Sequence, residues 1–140
     1  MRIAVIDGQG GGIGKLIVEK LRKAFCEEIE IIALGTNSLA TALMLKAGAN
    51  EGATGENAIC YNVNMVDIIL GPMAIICANA LLGELTPQMA KAIGESSVKK
   101  ILIPLSKCNV EIAGIENKPL PYYVEDAIEI VKAYGGERYV

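Results

Sequence analysis

The sequence contains no histidine, which removes the commonest general base and the usual partner of a catalytic nucleophile. Its four cysteines, Cys26, Cys60, Cys77 and Cys108, form no C-x-x-C pair, so no zinc site is expected. Their first reading is as small buried apolar side chains. No run of basic residues is longer than a pair such as Lys99-Lys100, and the net charge is −3, which disfavours a nucleic-acid partner. The apolar stretch 3–6 runs straight into Asp7 and a string of glycines, unlike a secretory signal, so the expected location is cytoplasmic. The uncharged stretch 68–82 is shorter than the roughly 20 residues that cross a bilayer. It is also interrupted by Pro72 and Asn79, and no membrane partner is expected.

What is present is apolar and patterned. Hydrophobic residues make up 52% and charged residues 21% of 140, which excludes a disordered chain and suggests a sheet covered on both faces. The length suits one domain, residues 1–134, followed by a tail, 135–140. Residues 2–6 read as a buried strand, and Ile13, Leu16, Ile17, Leu21 and Ala24 follow at helical spacing. Residues 30–34 form a second strand, and 39–47 a helix that Gly48 terminates. The glycine-rich stretch 48–55 reads as a loop, with a short helix after Thr54. Residues 67–70 read as the third strand, 72–82 as a buried helix, and Thr86-Pro87 as cap and first turn of another. Residues 100–105 and 110–115 read as the last two strands, too close in sequence for a helical crossover and therefore paired antiparallel. Val124, Ala127, Ile128, Val131 and Tyr134 mark a closing helix. Alternating strands and helices predict an α/β three-layer sandwich with a mostly parallel sheet of about five strands.

The chemistry is carried by the first strand–turn–helix, Asp7-Gly8-Gln9-Gly10-Gly11-Gly12-Ile13-Gly14. A phosphate reaches the unpaired N–H groups and positive dipole end of a helix only where side chains are absent from the turn. Gly14, one turn into the helix, lets it press against the first strand. The segment resembles the cofactor loop of short-chain dehydrogenases/reductases, T-G-x-x-x-G-I-G, with Asp7 in place of Thr; the resemblance covers about the first 35 residues. It implies a Rossmann-like fold and a dinucleotide on Gly8, Gln9, Gly10, Gly11, Gly12, Ile13 and Gly14. Gly11-Gly12-Ile13-Gly14-Lys15 also looks like the G-G-x-G-K core of deviant P-loop ATPases, but Leu16 stands where those proteins carry the Ser or Thr that binds Mg²⁺. Over nearly its whole length, including Gly71-Pro72-Met73-Ala74 and Lys100-Ile101-Leu102-Ile103-Pro104, the chain resembles a family of short bacterial Rossmann-like proteins of unknown function.

At the end of the second strand stand Thr36, Asn37 and Ser38. These neutral groups tolerate a ribose 2′-phosphate and offer no carboxylate to a free 2′-hydroxyl, which puts NADP ahead of NAD. A plain helix cap explains the same residues equally well. The catalytic half of the dehydrogenase pattern is missing, since no tyrosine begins Y-x-x-x-K. The leading reading is therefore an NAD(P)- or nucleotide-binding module, a sensor or accessory subunit. The alternatives are a P-loop-like ATP-binding protein lacking the Mg²⁺ ligand, or a small enzyme drawing on Asn37, Thr54, Glu56, Asn57, Asn79 and Ser106 with Cys60 or Cys77 as nucleophile. So apolar a chain is expected to form a homodimer, through residues 73–82 and through Val124, Ile128 and Val131, unless those residues are ordinary core.

Overall fold

Successive side chains of a strand point to opposite faces, and the first strand uses both. In the computed structural model, which describes residues 1–105 and 108–139, Ile3 and Val5 of β1 (Arg2–Asp7) enter one core while Ala4 and Ile6 enter another. β2 (Glu30–Gly35) and β4 (Ile68–Pro72) flank β1 and repeat this division, with Ile31 and Ile68 on the first side and Ile32 and Ile69 on the second. β3 (Glu51–Thr54) and β5 (Lys99–Ile103) complete a sheet of order β3-β2-β1-β4-β5. All four strand pairings are parallel. This is the α/β three-layer arrangement expected, without the antiparallel pair.

The first core is closed by Ile17, Val18 and Leu21 of α1 (Gly12–Phe25), Met44 of α2 (Ser38–Ala47) and Val124, Ile128 and Val131 of α5 (Leu120–Tyr139). The second is closed by Ile59 of α3 (Glu56–Asn62), by Met89 and Ile93 of α4 (Pro87–Glu95), and by Ala74 and Ile75. Each fully buried aliphatic side chain contributes about 1.5–3 kcal/mol. Among the described residues no helix is long and apolar enough to cross a membrane.

Four local readings are corrected. The stretch 48–55 contains an edge strand: β3 pairs with β2 from Ile32↔Glu51 to Gly35↔Thr54. Its polar sequence suits an exposed edge, and its entry is pinned by Arg22, whose Nε donates to the Gly48 carbonyl at 2.7 Å. Residues 110–115 form no strand. Val110, Ile112 and Ile115 stand exposed, and the connection is held by the Tyr123 hydroxyl, which donates to the Glu116 carbonyl at 2.5 Å and accepts from the Lys118 N–H at 3.1 Å. Residues 72–82 are not a helix: Pro72 ends β4, a single 3₁₀ turn spans Met73–Ile76, and the chain then folds back with positive φ at Asn79, Leu81, Leu82 and Gly83. The closing helix, read to Tyr134, continues to Tyr139 and takes in most of the expected tail. Val124, Ile128 and Val131, like Met73 and Ile75, are buried, so they are core and not a dimer face.

Candidate functional site

β1 stands where the strand order turns back, with β2 on one side and β4 on the other. Open parallel sheets bind ligands in the crevice at the carboxyl ends of such strands. Here the crevice holds a cavity of about 220 Å³, bounded by the glycine loop, by Pro72, Ala74 and Leu81 after β4, and by Leu105 and Leu120.

Asp7 organises the loop. It is only 3% exposed, and its Oδ1 accepts from the Gly8 N–H at 2.8 Å while Oδ2 accepts from the Gly14 N–H at 2.6 Å. Charge-assisted bonds of this length offset the cost of burying a carboxylate. Where the resembled loops carry Thr, this chain therefore ties its loop with the carboxyl oxygens of Asp7 at the N-terminal end of α1.

The glycines divide into two kinds. A Cβ on Gly8 would lie 2.3 Å from Thr36 Oγ1, and one on Gly14 2.6 Å from Met44 Sδ and 2.8 Å from Asp7 Cβ. Gly11, at φ 73°, would meet Ala40 Cα at 2.8 Å. These three are required by packing, and Gly14 indeed lets α1 press on β1. A Cβ on Gly10 or Gly12 would meet nothing within 4 Å, so the fold alone does not explain them. The amides divide the same way. Those of Gly8 and Gly14 donate to Asp7, Gln9 to Glu84, Gly11 to the Gly8 carbonyl and Lys15 to the Gly11 carbonyl. Those of Gly10, Gly12 and Ile13 have no acceptor among the described residues, and both glycines are exposed.

Glu84, which no local sequence signal marks, completes the site. Its Oε1 accepts from the Gln9 N–H at 2.9 Å, from Thr36 Oγ1 at 2.7 Å and from Asn37 Nδ2 at 2.7 Å. Partial burial pushes its carboxyl up, but the three donors outweigh this and hold it below the usual carboxylate range. Asn37 also donates to the Gln9 carbonyl at 2.9 Å and caps α2 by accepting from the Ala40 N–H at 2.9 Å. Ser38, the first residue of α2, is exposed. The end of β2 is therefore not the neutral surface the sequence suggests: a carboxylate from 48 residues away is bound to Thr36, which removes the ground for preferring a 2′-phosphate.

The remaining candidates are dispersed. Lys15 Nζ lies 3.9 Å from Glu19 Oε1 on an exposed helix face, not in the cavity. Glu56, Asn57 and Cys60 border a separate groove of about 550 Å³ between α3 and α4. Burial, then the charge of Glu56, pushes the Cys60 thiol up, opposite to an activated nucleophile. Thr54 and Thr41 share a hydroxyl hydrogen bond of 2.7 Å. Cys77 contacts Cys108, Asn79 sits at φ 67°, and Ser106 lies outside the described residues. Among the described residues no group of three or more His, Cys, Asp or Glu could hold a metal ion.

A family model described as "Domain of unknown function (DUF3842)" matches residues 2–135, and the chain belongs to that family. No curated protein matches the sequence. Among solved structures, a dodecameric FMN-dependent Ubix-like decarboxylase from Escherichia coli O157:H7 is similar at 13% identity and a TM-score of 0.45, over 94% of this chain and 77% of that one. A universal stress protein in complex with cAMP is similar at 15% identity and a TM-score of 0.40, over 71% of this chain and 94% of that one. Likenesses this distant do not say what this chain binds.

Proposed function

We propose that this member of the DUF3842 family is a nucleotide-binding module, a sensor or accessory subunit that takes a phosphate on the amides of Gly10, Gly12 and Ile13. The observation that carries this reading is that those three N–H groups have no acceptor among the described residues, at a helix N-terminus, beside two glycines that packing does not require. Glu84 supports the second half of the ligand. Only its Oε1 carries the three loop bonds, and Oε2 has no partner among the described residues, which leaves it for a ribose hydroxyl. A carboxylate at that point repels a 2′-phosphate, so NAD ranks ahead of NADP, the reverse of the order drawn from the sequence.

The cavity of about 220 Å³ is below the range of about 300–1,000 Å³ usual for whole small-molecule sites. It suits a phosphate and its adjoining group, with the rest of the dinucleotide along the mouth beside Leu81. ATP lacks support on two counts, Leu16 in place of the Mg²⁺ ligand and Lys15 on the solvent face.

Thermal unfolding with NAD, NADP and AMP tests the reading. At 100 times its dissociation constant a ligand adds about 2.7 kcal/mol, and NAD is expected to raise the midpoint most. A melt unmoved by all three overturns nucleotide binding; a larger shift with NADP overturns the role of Glu84. The homodimer belongs to the same proposal on a different surface, around the exposed Ile112, Ile115, Tyr122 and Ile130. Light scattering that gives 14.8 kDa across a dilution series would remove it.

A further inference from the structure

Two segments wall the glycine-loop cavity, the fold-back after β4 and the connection after β5, and they meet at two sulfurs. Cys77 Sγ lies 3.4 Å from Cys108 Sγ, 31 positions away in the chain. Both thiols are free and half-buried. A disulfide requires about 2.05 Å between sulfurs, so the pair has only a little over an ångström to close. Neither residue lies in a helix or strand: Cys77 follows the 3₁₀ turn Met73–Ile76 and Cys108 stands in a turn, where the backbone shifts with least loss of hydrogen bonds. The other cysteines lack such a partner, Cys26 being exposed after α1 and Cys60 having its sulfur 3.8 Å from the Gln88 carbonyl.

We propose that Cys77 and Cys108 are a redox-active dithiol whose oxidation staples the two walls of the glycine-loop cavity. One wall carries Ala74 and Leu81, the other Leu105 and Leu120, so the bond restricts how far the mouth opens. Only that consequence for a ligand rests on the nucleotide reading; the bond does not. The oxidant is a low-molecular-weight disulfide. The Cys108 thiolate attacks one of its sulfurs, the S–S bond breaks, and one thiolate leaves a mixed disulfide on Cys108. Cys77, deprotonated in turn, attacks the Cys108 sulfur and releases the second thiolate. Two protein thiols are oxidised, the small disulfide is reduced to two thiols, and the two protons lost by the cysteines end on them. Burial and the contact with Cys108 push the Cys77 thiol up, which disfavours Cys77 as the first attacking thiolate and leaves that step to Cys108.

The full chain is incubated with oxidised glutathione, remaining thiols are blocked with a maleimide, and intact mass and peptide maps are recorded. The expected result is a species modified only at Cys26 and Cys60 and otherwise lighter by two hydrogens, with one cross-linked peptide joining Cys77 to Cys108 and reversal of that cross-link by dithiothreitol. Cys77→Ser is expected to retain glutathione on Cys108, with nothing to displace it. The proposal is overturned if Cys77 and Cys108 remain blockable, keep separate glutathiones in the unaltered chain, or pair with Cys26 or Cys60. The cross-link is read without nucleotide, so failure of nucleotide binding and failure of the dithiol are separate results.

Discussion

The loop after β1 and the fold-back after β4 face each other across the same crevice, but they carry backbone strain to different degrees. In the first, Gln9 at φ 47° is the single side-chain-bearing residue in the left-handed region, the sharp turn falls on Gly11 at φ 73°, and Asp7 ties both ends of the turn. In the second, Leu81 at φ 58° and Leu82 at φ 57° occupy the left-handed region themselves. That costs an L-residue about 1–2 kcal/mol each. The first loop thus carries one strained residue and is tied from within by Asp7, whereas the second carries several and is held by what it touches, chiefly through Glu84 and the buried Leu85. Strain of this kind persists only where the surrounding contacts hold it, and the sharpest tests attack the two loops separately.

The largest effect is expected for Gly14→Val. Its Cβ would lie 2.6 Å from Met44 Sδ and 2.8 Å from Asp7 Cβ, and overpacking against the fixed Asp7 costs about 2–3 kcal/mol. Urea unfolding should show a markedly lower midpoint or no folded baseline. Gly12→Val separates packing from binding within the same loop. Nothing stands within 4 Å of its Cβ, so stability should stay within about 0.5 kcal/mol, while NAD binding by calorimetry should vanish. Undiminished affinity in the folded variant would place the ligand elsewhere.

Glu84→Ala tests the tie between the loops and is expected to cost about 1–2 kcal/mol, because it leaves the Gln9 N–H, Thr36 and Asn37 without their acceptor. The sign of its pH dependence follows from the direction of the shift. A carboxyl held below its unfolded value contributes stability above the usual carboxylate range and loses it as pH falls through the depressed folded value. The stability gap between wild type and Glu84→Gln should therefore shrink on acidification, as urea midpoints across the acid range would show; a gap independent of pH would deny the ionised contact. The smallest effect is a gain. Leu82 is 96% exposed at φ 57°, so Leu82→Gly relieves the left-handed strain at little packing loss, and about 0.5–1 kcal/mol of stabilisation remains after the entropy of glycine. Leu81→Gly should not match it, since Leu81 also walls the cavity.

Legibility followed locality. β1 and α1 were readable because a buried strand and an amphipathic helix write their periods into contiguous residues. The Thr86-Pro87 cap was readable for the same reason, and Thr86 Oγ1 accepts from the Met89 N–H at 3.1 Å. β3 was not, because an exposed edge strand carries no apolar run, and Glu51, Gly52 and Thr54 become a strand only through β2. Residues 72–82 misled because an uninterrupted apolar stretch looks alike whether it is helical or folds back; Met73, Ala74 and Ile75 are buried in either case.

By itself the sequence determined the α/β alternation, the central buried strand and a glycine loop opening a helix, since each depends on neighbours a few residues apart. Only the tertiary structure decided which glycines are packing and which are open, that Asp7 bonds the loop from within, and that a carboxylate stands at the end of β2. Gly8 is crowded by Thr36 and Leu81, and Glu84 reaches Gln9 from 75 positions away. Contacts at that separation exist only after the sheet has brought the carboxyl ends of β1, β2 and β4 together, and no local pattern of residues encodes them.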